Sequence, residues 1–126
     1  MRTIFTEKAP SPAGHYSQAV VHGGLVFVSG MLPARPDGTR ETASAAAQTA
    51  QALANLEAAL RAAGAAPETV LKTTIYVADI SLWDEVNAAY AAFFKEHRPA
   101  RSVVPVKELH FGFLVEIEAV AAVLGE

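Results

Sequence analysis

One segment near the C-terminus constrains the fold more than any other. Residues 114–124 alternate with the period of a β-strand, yet both faces are apolar. Val115, Ile117, Ala119, Ala121 and Val123 fall on one face; Leu114, Val120, Ala122 and Leu124 share the other with Glu116 and Glu118. Such a strand needs cover on both sides. The rest of the chain offers two helical segments, and two helices cover only one face of a sheet. The pattern predicts an α+β sheet whose second face packs against another subunit.

The other elements follow from periodicity and punctuation. Residues 2–6 read as a short strand, and Pro10, Pro12 and Gly14 mark a loop. Strands over 16–22 and 25–29 flank Gly23-Gly24, a two-residue hairpin signal because both glycines tolerate positive φ. After a loop from Pro33 to Gly38, the sequence predicts a helix over 42–63. Its apolar stripe is Ala46, Ala50, Leu53, Leu56 and Leu60, and Gly64 stops it. A strand rich in Thr, Val, Ile and Tyr covers 70–78. The second helix is expected from Ser81, with Asp84 as capping partner, to about His97, with Trp83, Val86, Tyr90 and Phe94 buried. Strands over 101–107 and 113–123 complete a β-ββ-α-β-α-ββ order in one domain, residues 1–126. Pro105 cannot donate to a ladder and favours an edge or bulge.

Composition removes several functional classes. Of 126 residues, 52% are hydrophobic and 18% charged, which suits a packed domain rather than a disordered chain. Ten basic and 13 acidic residues give a formal charge of -3, with no general attraction to nucleic-acid phosphates. There is no cysteine, which excludes thiol catalysis, disulfides and thiolate metal sites. His15, His22, His97 and His110 show no metal-ligand spacing, and no GxGxxG or P-loop pattern is present. No metal, nucleotide cofactor, nucleic-acid or membrane partner is therefore expected. The N-terminus has no apolar signal region and no run reaches membrane length, so a cytoplasmic location is expected.

The candidate chemistry lies in Pro99-Ala100-Arg101-Ser102 and Val115-Glu116-Ile117-Glu118-Ala119. An arginine fork suits a carboxylate, gripped by two parallel hydrogen bonds, and a nearby glutamate suits a water nucleophile. Each residue also has a structural reading: Arg101 pairing with Glu108 or Glu116, and Glu118 in an interface salt bridge. Ser29, before Gly30, reads as a turn or ligand contact. Asn87 reads as a helix-end or loop contact, and Tyr16 as a half-buried packing residue.

These residues also resemble a known family. Tyr16-Ser17-Gln18-Ala19, Val28-Ser29-Gly30 and Val86–Phe94, with the two motifs above, resemble the reactive intermediate deaminases, called RidA or YjgF, over essentially the whole chain. The resemblance implies a chorismate-mutase-like fold with a six-stranded mixed sheet. It also implies a homotrimer with ligand clefts between subunits. Activity would be cofactor-independent hydrolysis of enamines and imines, such as 2-aminoacrylate and 2-iminobutanoate, to 2-oxo acids and ammonia. It implies that Arg101 binds the substrate carboxylate, that Glu118 positions the attacking water, and that Tyr16, Ser29 and Asn87 line or support the cleft. The chain departs from the family at His15, Met31, Val103 and the apolar segment 109–114. Hydrolysis of a larger catabolic enamine of the aminomuconate kind, and a ligand-binding or chaperone-like trimer without turnover, stand as alternatives.

Overall fold

The computed structural model describes residues 1–125. The strands are β1 (Arg2–Ile4), β2 (Ala19–His22), β3 (Leu25–Met31), β4 (Val70–Val77), β5 (Ala100–Pro105) and β6 (Val115–Ala122). The helices are α1 (Ala45–Ala62) and α2 (Trp83–Phe94). One mixed six-stranded sheet has the order β1-β2-β3-β6-β4-β5. All neighbours are antiparallel except β4 and β5, whose parallel pairing is bridged by α2. The C-terminal strand thus lies at the centre of the sheet, as its two-faced apolarity demands, while β5 and Pro105 lie at an edge.

The local signals explain the boundaries. Gly23 and Gly24 both take positive φ (59° and 77°), the hairpin that joins β2 to β3. Ser44 caps α1 by accepting from the Ala47 N–H at 3.0 Å, and Gly64 ends it at φ 84°. The stripe of α1 differs from expectation at its first turns: Ala50 is exposed and Ala46 only part-buried, while Ala45, Gln48, Thr49 and Ala52 face inward. Polar residues at the buried positions hid this shift. α2 starts at Trp83 rather than Ser81, because Asp79 accepts from the Ser81 N–H and closes a 3₁₀ turn first. It ends at Phe94, earlier than expected, where Lys95 takes φ 58°. Trp83, expected inside, remains 38% exposed, whereas Val86, Tyr90 and Phe94 are buried.

α1 and α2 pack on each other, and the sheet face below them buries Val28, Ile75, Val77, Val115, Ile117, Ala119 and Ala121 with Leu53, Leu56 and Leu60. Among the described residues, neither helix covers the opposite face. Phe27 and Val104 stand 47% and 37% exposed there, with Val120 part-buried between them. Glu116 and Glu118 rise from this open face, paired across the ladder with Tyr76 and Thr74.

Candidate active site

Two separate clefts hold the chemistry-bearing residues. The first, about 500 Å³, opens at the β5 edge on the helix side of the sheet. Arg101 pairs with the buried Thr73 across the β4–β5 ladder, so its side chain rises toward α2. There its Nη1 donates to Asn87 Oδ1 at 2.8 Å, and the guanidinium lies 4.8 Å from the Tyr90 ring and 5.4 Å from the Trp83 ring. The Tyr90 hydroxyl is fixed by Thr73 at 2.7 Å. The structure gives Arg101 neither Glu108 nor Glu116 as a partner: the two ion pairs among the described residues are Arg35–Glu41 and Arg61–Glu57. A neutral amide orients the fork and leaves its charge available for an anion.

The second cleft, about 450 Å³, lies at the β3–β6 pair and is lined by Tyr16, Ser29, Gly30, His110, Phe111 and Glu116 among others. A break in ladder register between Val28 and Met31 creates it by bulging Ser29 and Gly30 out of the pairing. Ser29 donates its hydroxyl to the Ser17 carbonyl at 2.7 Å, and its N–H bonds the Gln18 carbonyl at 3.0 Å, so the bulge is tied to the Tyr16 loop. The Tyr16 ring is half exposed, and its hydroxyl accepts from the Ala13 N–H at 3.3 Å. The Glu116 carboxylate lies directly against Gly30: a Cβ at that position would come within 2.9 Å of Glu116 Cδ. Burial and the nearby Glu118 charge hold the Glu116 carboxyl above the ordinary carboxylate range, with His110 acting the other way.

Glu118, the carboxylate named from sequence, lies elsewhere. It shares the open face with Glu116 but accepts the Tyr76 phenol proton at 2.6 Å, and it lines a small recess with Lys72 and Thr74. Donating that bond to Glu118, burial and the Glu118 charge raise the Tyr76 phenol above its usual range. The structure therefore brings Tyr16, Ser29 and Glu116 together, and Asn87 and Arg101 together. The two groups occupy opposite faces of one sheet and, among the described residues, line two different clefts. Gly30 and His110 were missed at the sequence level; the glycine immediately after Ser29 in an apolar strand was the available signal, since a strand glycine marks a bulge or a close approach. Glu116 and Glu118 share one face at a spacing of two, so their sequence positions alone do not distinguish them.

Among the described residues, no group of three or more His, Cys, Asp or Glu side chains is placed to hold a metal ion, and no helix is long and apolar enough to cross a membrane.

A mixed six-stranded sheet with two helices on one face defines an α+β domain. Residues 6–123 match the family described as endoribonuclease L-PSP, and the chain belongs to this family, also called RidA/YjgF. Over 123 residues it is 42% identical to the 2-iminobutanoate/2-iminopropanoate deaminase of Escherichia coli K12, covering 95% of this chain and 96% of that one. The crystal structure of the E. coli YjgF gene product superposes with a TM-score of 0.92 at 42% identity, over 97% of this chain and 98% of that one. E. coli TdcF with bound serine matches with a TM-score of 0.92 at 34% identity, over 97% and 98% of the two chains. The similarity to named deaminases supports a hydrolase of the imine deaminase kind acting on a small molecule.

Proposed function

We propose that this chain is a cytoplasmic, cofactor-independent homotrimeric deaminase. Its substrates are reactive 2-aminoacrylate or 2-iminobutanoate-type intermediates, and its products are 2-oxo acids and ammonia. The observation that carries this reading is the Glu116 carboxylate. It sits against bare Gly30 beside Ser29 and Tyr16, in an environment that makes it a better base than an ordinary glutamate. A 34%-identical relative that binds serine supports an amino-acid-sized ligand with a carboxylate to grip.

Within one chain Arg101 and Glu116 face away from each other. The exposed apolar face that carries Glu116 supports a neighbouring copy whose Arg101 edge completes each cleft. Arg101 then binds the substrate carboxylate, with Asn87 setting the plane of the fork. Glu116 takes a proton from water as the water oxygen bonds to C2 of the protonated imine. The tetrahedral amino alcohol receives that proton on nitrogen, the C–N bond breaks, and ammonia leaves as the hydroxyl gives its own proton back to the Glu116 carboxylate and the carbonyl forms. An enamine substrate first gains a proton from solvent at C3 and becomes the protonated imine. Although the resemblance assigns the water to Glu118, we assign it to Glu116. Glu118 is the neighbour whose charge, after burial, holds the Glu116 carboxyl above the ordinary carboxylate range, and whose own position is fixed by Tyr76. Holding acid and water in place supplies much of the rate for an already electrophilic carbon.

The test is pre-steady-state ammonia release from freshly generated 2-aminoacrylate. Acceleration over the uncatalysed rate is expected. Binding without turnover would instead favour a ligand-binding trimer, and selective turnover of large unsaturated enamines would favour a catabolic role.

A further inference from the structure

The Arg101 cleft extends beyond the fork that the hydrolytic chemistry uses. Its far end is built from the last turn of α2 and the connection to β5, where Lys95, His97 and Arg98 line it together with Arg101. Tyr90 and Phe94, both buried, give this end an aromatic floor. Among the described residues that line the cleft, none is acidic. Lys95 and Arg98 are exposed at its rim, and among the described residues neither takes part in an ion pair. A cation at the end of a helix is favoured by the helix dipole, which accounts for Lys95 alone. Arg98 and Arg101 lie beyond the last turn and line the same cleft. Like charges gathered in a concave space raise its potential and draw in anions.

The connection is held in this shape. Lys95 adopts φ 58° and ψ -118°, a sparsely populated state for a residue with a side chain. Its N–H bonds the Ala91 carbonyl at 2.9 Å, and the His97 N–H bonds the Phe94 carbonyl at 3.1 Å, so the chain turns tightly off the helix. A carbonyl can only accept, so His97 Nε2 carries a proton and donates it to the Val70 oxygen at 2.7 Å, which ties the connection to β4. The His97 ring also meets Phe94 edge-on at 6.1 Å. At the other end of the cleft, Asn87 holds Arg101 through a neutral bond. The cations therefore stand on a fixed frame around a space in the size range of small-ligand sites.

We propose that this end of the cleft binds a small organic dianion, a phosphate monoester or a dicarboxylate, and that the bound dianion withdraws Arg101 from the substrate carboxylate and so inhibits turnover. The binding stands on the cleft alone; the effect on turnover rests on the imine deaminase reading. One negative group meets Lys95 and Arg98 at the rim, the apolar part of the ligand lies on Tyr90 and Phe94, and Arg101 is shared with the substrate.

The experiment titrates phenyl phosphate, inorganic phosphate and succinate into the wild-type protein by calorimetry. Saturable binding of at least one dianion, weakened by added sodium chloride, is expected, and the tightest of the three identifies the source of the charge. The same dianion should raise KM for 2-iminopropanoate and leave kcat unchanged. Lys95→Gln and, independently, Arg98→Gln should each weaken it about fivefold or more. Inhibition by pyruvate, a monoanion that needs only the Arg101 fork, should stay close to wild type in both variants. Thermal unfolding reports that the variants fold, and the wild-type midpoint should rise with the bound dianion. No saturable binding of any dianion, or wild-type affinity in both glutamine variants, would overturn the site. Equal weakening of pyruvate and dianion would overturn it as well, since the charges would then act only as a general field. Binding without competition would overturn the link to Arg101. Binding by a wild type that hydrolyses no imine would overturn the deaminase reading and leave the dianion site standing.

Discussion

Gly30→Ala tests the position of the proposed base without touching it. Gly30 is outside the left-handed region, so alanine meets no backbone obstacle there. Its Cβ, however, would fall 2.9 Å from Glu116 Cδ and 3.2 Å from Cγ, and nearer still to the Oε2 oxygen. Carbon atoms pack comfortably at about 3.5 Å, so the carboxyl group must retreat by roughly 0.6 Å at Cδ and more at its tip. Rotating the end of a glutamate side chain costs about 1 kcal/mol. Replacing a strand glycine by alanine returns about 0.5–1 kcal/mol. Stability should therefore change little, with Tm within about 4 °C of wild type. Activity should not be spared, since a displacement near 1 Å from the productive geometry costs on the order of 100-fold. The assay is kcat for ammonia release from 2-iminopropanoate, with thermal unfolding alongside. A folded alanine variant with wild-type kcat would refute the reasoning, because the carboxylate would not be needed where it lies.

The remaining expectations concern the other groups. Arg101→Ala should lower kcat/KM by roughly 2–5 kcal/mol of lost charged contact while thermal unfolding stays close to wild type, and Arg101→Lys should restore little; unchanged kinetics would make Arg101 structural. Glu116→Gln should abolish more turnover than Glu118→Gln, and the reverse order would return the water to Glu118. The wild-type kcat should rise with pH through a value above the ordinary glutamate 4.5, and Glu118→Gln should move that rise to lower pH by removing a nearby negative charge. The same raised group favours the folded state fully when protonated below 4.5, and that contribution is lost as pH rises through the folded value, so Glu116→Gln should be at least as stable as wild type at neutral pH. Light scattering should report about three times the 13.3 kDa chain mass, and a monomer at micromolar concentration would remove the shared cleft.

The fold was legible wherever one signal dominated. Gly23-Gly24, Gly64, the leucines of α1 and the two-faced strand β6 each carried a local instruction that the tertiary structure kept. The misses share a physical cause, in that buried polar groups read as surface. Gln48, Thr49 and Asn55 face the core side of α1 because their amides and hydroxyl bond backbone groups, so an apolar stripe drawn from hydrophobicity alone runs through Ala46 and Ala50 instead. Gln18, read only as part of the strand over 16–22, is 1% exposed because its amide bonds the Thr6 and Pro10 backbone. Arg101 and Asn87 were legible as separate candidates; their 2.8 Å bond was not, because it joins α2 to an edge strand 14 residues later. The choice between Glu116 and Glu118 was out of reach for a different reason. It depends on what lies across the sheet, Gly30 for one and Tyr76 for the other, and those partners come from distant strands.

The division of the site across the sheet explains why this chain tolerates an exposed apolar face. A lone subunit leaves Phe27 and Val104 in water and keeps its arginine and its base on opposite sides. Burying that face against a neighbour favours association through the hydrophobic effect. In the proposed assembly the same act excludes water from around Glu116 and brings in an Arg101 from another copy. Each glutamate, already raised by burial and by Glu118 within its own chain, is then desolvated further by the interface that supplies its substrate's counter-charge, so base and carboxylate recognition meet only in the oligomer. This coupling also accounts for the neutral partner of Arg101. An acid in place of Asn87 would satisfy the guanidinium within its own subunit and leave the completed cleft with no free positive charge for the substrate.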